Sequence, residues 1–319
     1  MHLYIFGGGK AEEISVSASL LPSAEDNAAY QEDLVLEDTV SAAYVSRLTA
    51  VFLNDPRLDS MDITCAGNAY RNGTHFRSPG FPGPYVEKRL CRAAVHKVHA
   101  GICQMRLDFI VFKIDSPANG SCLTGKLTMT GQNHNIIVPA LCGNLTAQHM
   151  YLDVSSARGP LVLGLATAGA TPSVFDIKIT QISCRDVNKA PSGCLQYFTG
   201  SEGIFSSFNY ALSSPTSRGG YLNNLDYAIC FRKEMGHCSI TYRAPGHDAT
   251  ENVTSSFSVQ GKWEDITEEE APGAGYIDCP HDYLYLAGVP YCGNRLNPDA
   301  FGTPLTDEDV VGEARLIFD

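Results

Sequence analysis

The sequence predicts an all-β protein of two tandem jelly-roll β-sandwiches, preceded by an acidic, weakly structured leader. Three observations predict this fold class. From Cys65 onward, apolar residues alternate with polar ones in short runs separated by Gly, Pro, Asn and Ser, which is the pattern of half-buried strands. All eleven cysteines lie in the same part of the chain, and the order of its cysteine motifs repeats once.

The first 64 residues differ from the rest in charge. They contain eleven acidic and three basic residues, so they carry −8 of the chain's net charge of −12. Apolar residues recur at roughly helical spacing over about 30–53, which is compatible with a marginal amphipathic helix. We interpret residues 1–64 as a largely disordered, solvated leader rather than as an acidic docking segment or pro-segment.

The first unit, residues 65–184, contains four clear runs in which every second residue is apolar. These runs span 105–109, 126–130, 150–155 and 175–180. Turn residues separate them, and no convincing helical pattern interrupts them. Many short strands of this kind are typical of a β-sandwich or jelly roll.

A linker containing Pro and Gly, residues 185–193, precedes the second unit, residues 194–319. A Cys-Gly pair follows an apolar residue at 141–143 and again at 291–293. In both units, a strand-like segment that begins at a cysteine comes before this pair. The second unit is therefore predicted to be a diverged copy of the first.

The spacing of the cysteines limits their chemistry. No two of them stand two to four residues apart, so zinc knuckles and a CxxC redox motif are missing. Buried free thiols, a disulfide framework and a lone nucleophile remain, and the wide, regular spacing among short strands favours disulfides and an oxidising compartment. The four N-glycosylation sequons agree with secretion; they begin at Asn72, Asn119, Asn144 and Asn252.

A known family matches these motifs. Residues 74–85 read T-H-F-R-S-P-G-F-P-G-P-Y and are followed by Cys91, a strand-like segment at 107–112, Cys122 and Leu-Cys-Gly at 141–143. This order resembles a CUB domain. The second unit is similar to the variant CUB modules of arthropod secreted proteins, through C-L-Q-Y-F-T-G at 194–200, S-F-N-Y at 207–210 and C-P-H-D-Y-L at 279–284.

The resemblance covers about 65–319 and implies a disulfide pairing for both units. The implied bridges are Cys65–Cys91, Cys103–Cys184, Cys122–Cys142, Cys194–Cys230 and Cys279–Cys292, with Cys238 left unpaired. Cys238 corresponds to Cys103, and the counterpart of its partner would fall beyond Asp319. We therefore expect the second unit to be truncated at its C-terminus. Since Met1–Phe6 is too short for the apolar core of a signal peptide, we expect the N-terminus to be incomplete as well.

The sequence offers little for metal binding or catalysis. Many CUB domains bind calcium, but Gly125 stands where the family's key aspartate is expected in the first unit. Asp282 occupies that place in the second unit, and we interpret it as a solvated loop acid, so no cofactor is expected.

His96 and His99 fall in a stretch predicted to be extended, which would place them on opposite faces. The absence of G-x-S-x-G and H-E-x-x-H motifs predicts that the chain is not an enzyme by itself.

Composition and resemblance together define the expected partner. An isoelectric point near 5.1 argues against nucleic acid, and no apolar run approaches the roughly 20 residues of a membrane span. The resemblance implies a secreted, non-enzymatic module that binds an extracellular protein or glycan through its loops. Two alternatives are a non-catalytic regulatory arm of a larger secreted protease and a structural matrix component.

Overall fold

The computed structural model describes residues 61–133, 137–169, 171–210, 221–244 and 272–293, the single residues 257, 259 and 296, and the backbone of three further strands at 2–7, 15–22 and 310–313. Every regular element in this part of the chain is a strand, which confirms the predicted all-β class. The strands are β1 (His2–Gly7), β2 (Ser15–Pro22), β3 (Asp62–Ile63), β4 (Gly67–Ala69), β5 (Thr74–Arg77), β6 (Lys88–Val95), β7 (Ile102–Lys113), β8 (Lys126–Thr130), β9 (His149–Asp153), β10 (Leu161–Ala168), β11 (Val174–Ser183), β12 (Cys194–Phe198), β13 (Glu202–Ser206), β14 (Leu225–Phe231), β15 (His237–Arg243), β16 (Gly273–Ala274), β17 (Tyr283–Leu286), β18 (Val289–Cys292) and β19 (Val310–Glu313). None of the described residues belongs to a helix that could cross a membrane.

The first unit is made of two sheets. One has the strand order β4-β6-β10-β8, and the other has the order β3-β5-β11-β7-β9. The period-two pattern becomes the burial pattern: Met105, Leu107 and Phe109 are almost fully buried, whereas Arg106 and Asp108 on the opposite face are partly exposed. Inward-facing residues of both sheets form one apolar cluster, as expected for a sandwich.

The second unit also has two sheets, and both include strands from the N-terminal part of the chain. One sheet has the order β12-β14-β1-β17-β18-β16, and the other has the order β13-β2-β15-β19. The expectation of a weakly structured leader over 1–64 is therefore wrong for 2–7 and 15–22, where backbone pairing with the second unit forms strands. The helix suggested over 30–53 lies outside the described residues.

Five disulfides occur in the structure, three in the first unit and two in the second. They join Cys65 to Cys91, Cys103 to Cys184, Cys122 to Cys142, Cys194 to Cys230, and Cys279 to Cys292. These are the pairs that the family resemblance implies. Cys238 carries a free, exposed thiol.

The two units are joined through a tight junction. The linker is fixed by the buried side chain of Gln104, whose Nε2 donates to Ala190 O at 2.7 Å and whose Oε1 accepts from Ala190 N at 2.9 Å. Strand β12 of the second unit then contacts β9 of the first. There the Nε2 atom of His149 lies 3.0 Å from Tyr197 O and 3.3 Å from Tyr197 N. The linker residue Ala190 is thus an ordered part of the junction.

Candidate functional site

An open groove large enough for a small ligand lies at one end of the first unit. It lies between the β6–β7 loop and the β9–β10 loop. His96, Lys97, His99 and Ala100 line one side, and residues 155–160 line the other. Its walls are loops at the end of a rigid sandwich, where binding residues commonly occur.

The Cys103–Cys184 disulfide lies at the base of both loops. Val154 N donates to Cys103 O at 2.8 Å, and this bond fixes the start of the β9–β10 loop. Cys184 N donates to Gly101 O at 2.9 Å, which fixes the end of the β6–β7 loop. A single bridge is therefore connected through the backbone to each wall of the groove.

Gln181 on β11 holds the remaining part of the β6–β7 loop. Its side chain is buried; Nε2 donates to His96 O at 2.9 Å, and Oε1 accepts from Val98 N at 2.9 Å. Its own main chain is held by Asn72, since Gln181 N donates to Asn72 Oδ1 at 2.6 Å. Satisfied polar contacts of this kind fix the backbone shape of the loop.

The groove presents cationic groups, and a stacked pair of rings lies at its edge. Lys97 Nζ reaches across it and donates to Ser155 O at 3.3 Å, and the pKa of Lys97 is lowered by partial burial. Arg158 is exposed. The rings of Tyr70 and His96 stack with centroids 4.4 Å apart and planes 16° apart. No Asp or Glu is among the lining residues.

The net charge of the first unit agrees with this local pattern. Residues 65–184 contain eleven Lys and Arg residues and five acidic residues, a net charge of +6. The acidity of the chain therefore belongs to the segments on either side. A positive unit within a negative chain favours encounter with anions at that unit.

The expected placement of the two histidines on opposite faces of an extended stretch is wrong. Strand β6 ends at Val95, so His96 and His99 belong to the loop that follows it. Both line the groove. His99 Nδ1 accepts a hydrogen bond from Gly101 N at 3.1 Å, and His96 Nε2 lies 3.2 Å from Asn68 Oδ1.

The interpretation of Asp282, the weak calcium candidate, as a solvated loop acid is wrong, because its side chain is buried and hydrogen-bonded. Asp282 is 5% exposed, and its Oδ2 accepts a hydrogen bond from the Tyr221 hydroxyl at 2.5 Å. In the first unit, Asp115 accepts hydrogen bonds from the Thr171 hydroxyl and from Ala168 N. The described residues contain no group of three or more His, Cys, Asp or Glu side chains that could hold a metal.

Three of the four sequon asparagines fall within the described residues. Asn119 is exposed, whereas Asn144 is half-buried and its Oδ1 accepts from Thr146 N at 3.1 Å. Asn72 forms two hydrogen bonds with the main chain of Gln181. Asn252 lies outside the described residues. Asn119 is therefore the sequon most open to a glycan, and glycosylation remains a prediction for all four.

Asn119 and Asn144 also flank a second set of contacts across the junction. Asn144 N donates to Asn209 Oδ1 at 2.9 Å, and Asn223 Nδ2 donates to Asn119 O at 2.7 Å. Gln148 Nε2 adds a bond to Ser207 O at 2.6 Å. These side-chain bonds join positions far apart in the sequence, which is why no local sequence pattern predicts them.

Comparison with known proteins gives one family match. The animal CUB domain family matches residues 191–314, about two fifths of the chain. No curated protein matches the sequence.

Similarity to solved structures is weak. The full extracellular region of zebrafish Gpr126/Adgrg6 is 19% identical, with a TM-score of 0.29; the alignment covers 39% of this chain and 15% of that one. The CUB1-EGF-CUB2 domains of rat MASP-1 are 14% identical, also with a TM-score of 0.29, and the alignment covers 79% of this chain and 91% of that one. The chain thus spans a small part of the zebrafish protein region, and the match to the animal CUB domain family is confined to residues 191–314.

Proposed function

We propose that the chain is an extracellular, non-enzymatic binding module and that the groove of the first unit binds an anionic glycan. The disulfides, the sequons and the CUB match at 191–314 support an extracellular module. The central strands β10 and β11 of the first unit have neighbours equivalent to those of β1 and β2 in the second, so we propose that the first unit is a CUB-type sandwich too. The combination of Lys97 and Arg158 with a carboxylate-free lining is the single observation that carries the choice of ligand.

The chemistry of the groove suits a sulfated or carboxylated sugar. Lys97 and Arg158 can form charge-assisted hydrogen bonds with sulfate or carboxylate oxygens, and such bonds are the stronger ones in proteins. The exposed ring of Tyr70, stacked on His96, offers a flat apolar face to the C–H side of a sugar ring. The hydroxyl groups of Ser155 and Ser156 add neutral donors and acceptors. An acidic peptide would use only the cations.

Binding of a sulfated oligosaccharide to the full chain tests the proposal. The double variant K97A/R158A should lower the affinity at least tenfold, since each charged hydrogen bond contributes about 1.5–3 kcal/mol. The matched control is K126A/K178A, which removes the same charge from exposed strand positions outside the groove. We expect this control to change the affinity less than threefold.

The comparison probes are the desulfated oligosaccharide and a poly-glutamate peptide. Weaker binding of both would support the anionic glycan. Three results would overturn the proposal: no measurable binding, equal loss in the two double variants, or tighter binding of the peptide than of the oligosaccharide.

A further inference from the structure

Strands β1 and β2 have the same neighbours in the second unit as β10 and β11 have in the first. Strand β10 lies between β6 and β8, and β11 lies between β5 and β7. In the second unit, β1 lies between β14 and β17, and β2 lies between β13 and β15. All eight pairings are antiparallel. The two strand pairs therefore occupy equivalent places.

The register of β2 agrees with this equivalence residue by residue. On one side, Val16 pairs with Phe205, as Ile177 pairs with Phe76. On the other side, Ala18 pairs with Tyr242, just as Ile179 of β11 pairs with Leu107. A constant offset of 161 residues relates β2 to β11 on both edges. Accidental pairing of a strand would not be expected to reproduce the register against two different neighbours.

A β-bulge at the same place in both units further supports the equivalence of the strands. In the first unit, the pairing skips Cys103, because Ile182 pairs with Gln104 and Ser183 pairs with Ile102. In the second unit, the pairing skips Cys238, because Leu21 pairs with Ser239 and Pro22 pairs with His237. Both bulges leave a cysteine out of the ladder at the same place.

The sequence of the N-terminal segment also fits a strand of a sandwich. Val16, Ala18 and Leu20 alternate with Ser15, Ser17 and Ser19, which is the pattern of a strand with one apolar face. We infer that β1 and β2, residues 2–22, are the closing strand pair of the second unit, equivalent to β10 and β11 of the first. The acceptor slot for this segment, defined as the gaps between β14 and β17 and between β13 and β15, is filled by the same chain.

The same chain is favoured over a second copy on geometric grounds. Residues 23–60 connect β2 to the first unit, and thirty-eight residues can span about 130 Å when extended. A unit of about 120 residues is only about 35 Å across. A tether of this length also keeps the segment at a high effective concentration near its slot, so capture from another molecule at micromolar concentration is disfavoured.

The pairing of β2 with β15 differs from the pairing of β11 with β7 in one covalent respect. Cys184 follows Ser183 in the sequence and bonds to Cys103, whereas the residue that follows Pro22 is Ser23. A cysteine introduced at position 23 should therefore bond to Cys238. The variant S23C in the full chain tests the inference, with S15C as the matched control, because Ser15 pairs with Ser206 and lies seven residues before Pro22.

Oxidised S23C is expected to carry a bridge between the introduced thiol and Cys238 within one chain, seen by non-reducing peptide mapping of monomeric protein. Maleimide labelling of Cys238 should fall at least tenfold relative to the unmodified chain, whereas S15C should keep Cys238 fully reactive. A bridge between two chains would assign the slot to a second copy and overturn the inference. Undiminished labelling of Cys238 in S23C would also overturn it.

Hydrogen exchange of the unmodified chain gives a second measurement that does not depend on a variant. Backbone amides of 2–7 and 15–22 should be protected to within tenfold of those in β14 and β15. Exchange of the N-terminal amides at the rate of an unstructured peptide would contradict the inference.

Discussion

At the residue scale, two glycines of the first unit allow the second unit to approach closely. A β-carbon at Gly120 would overlap the side chain of Asn223, and one at Gly143 would overlap Asn209 Oδ1. Both glycines also have positive φ angles, 75° and 81°. They therefore serve two purposes, since the missing side chain permits the backbone turn and leaves room for an asparagine from the other unit.

The variant G143A should destabilise the protein more than G80A does. Gly80 has a similar φ of 75°, but a β-carbon there would meet nothing within 4 Å. Backbone strain should therefore cost about the same in both variants, about 1 kcal/mol. In G143A, Asn209 must also move and lose its bond from Asn144 N, which should add about 1–3 kcal/mol.

Urea unfolding of both variants measures this difference. A larger loss for G143A would support the close approach of the two units. Equal losses would mean that the contact between Gly143 and Asn209 contributes nothing to stability.

At the element scale, the contact between β9 and β12 places an imidazole between the units. His149 is 9% exposed. Burial of its ring, followed by the nearby Arg106 guanidinium, lowers the pKa of His149 to about 4 from an ordinary value of 6.5. The hydrogen bond to Tyr197 O and the charge of Asp108 oppose this shift without cancelling it. The neutral imidazole is therefore the form compatible with the junction.

Acid should destabilise the protein through this histidine. Because the folded state binds the proton less well than the unfolded state, the stabilisation is complete above about pH 6.5 and is lost as the pH falls towards about 4. The loss should be about 3 kcal/mol. The variant H149Q keeps a hydrogen-bonding side chain at this position but does not titrate, so its free energy of unfolding should fall less over this interval.

Chemical unfolding of the unmodified chain and of H149Q between about pH 7 and about pH 4 checks the prediction. Because the carboxylates are the same in both proteins, the difference between the two slopes of unfolding free energy against pH reports on His149. The control is H99Q, in the exposed β6–β7 loop, which should retain the slope of the unmodified chain. If H149Q also shows that slope, His149 does not carry the pH dependence.

Local patterns in the sequence explain which elements were predictable. Leu107 and Phe109 on β7, or Leu127 and Met129 on β8, alternate with polar residues because one strand face is buried. The same alternation exists over 15–20, but the acidic charge of the surrounding segment favours disorder, so the sequence does not predict β2. The groove is not predictable from local sequence for a different reason: His96 and Arg158 are far apart in the sequence and line one groove only after β6 and β10 pair.

At the scale of the whole molecule, covalent links support the sandwich at both ends. The Cys103–Cys184 bridge has a sequence separation of 81 and lies under the groove, whereas Cys122–Cys142 has a separation of 20 and lies near the opposite end of β8 and β10. Loop-closure entropy predicts that the first contributes about 4.5 kcal/mol and the second about 3.3 kcal/mol. The two bridges thus differ modestly in their effect on stability.

Their effects on ligand binding should differ much more. In C103A/C184A, the main-chain bonds to both groove walls remain possible, but the strand ends that carry them lose their covalent link. Affinity for a sulfated oligosaccharide should therefore fall at least tenfold in protein that is still folded. In C122A/C142A, the walls keep their connections, and affinity should change less than threefold despite a comparable loss of stability. Calorimetric titration well below the melting temperature of each variant separates binding from unfolding. If the two variants bind equally well, the Cys103–Cys184 bridge stabilises the sandwich without shaping the groove.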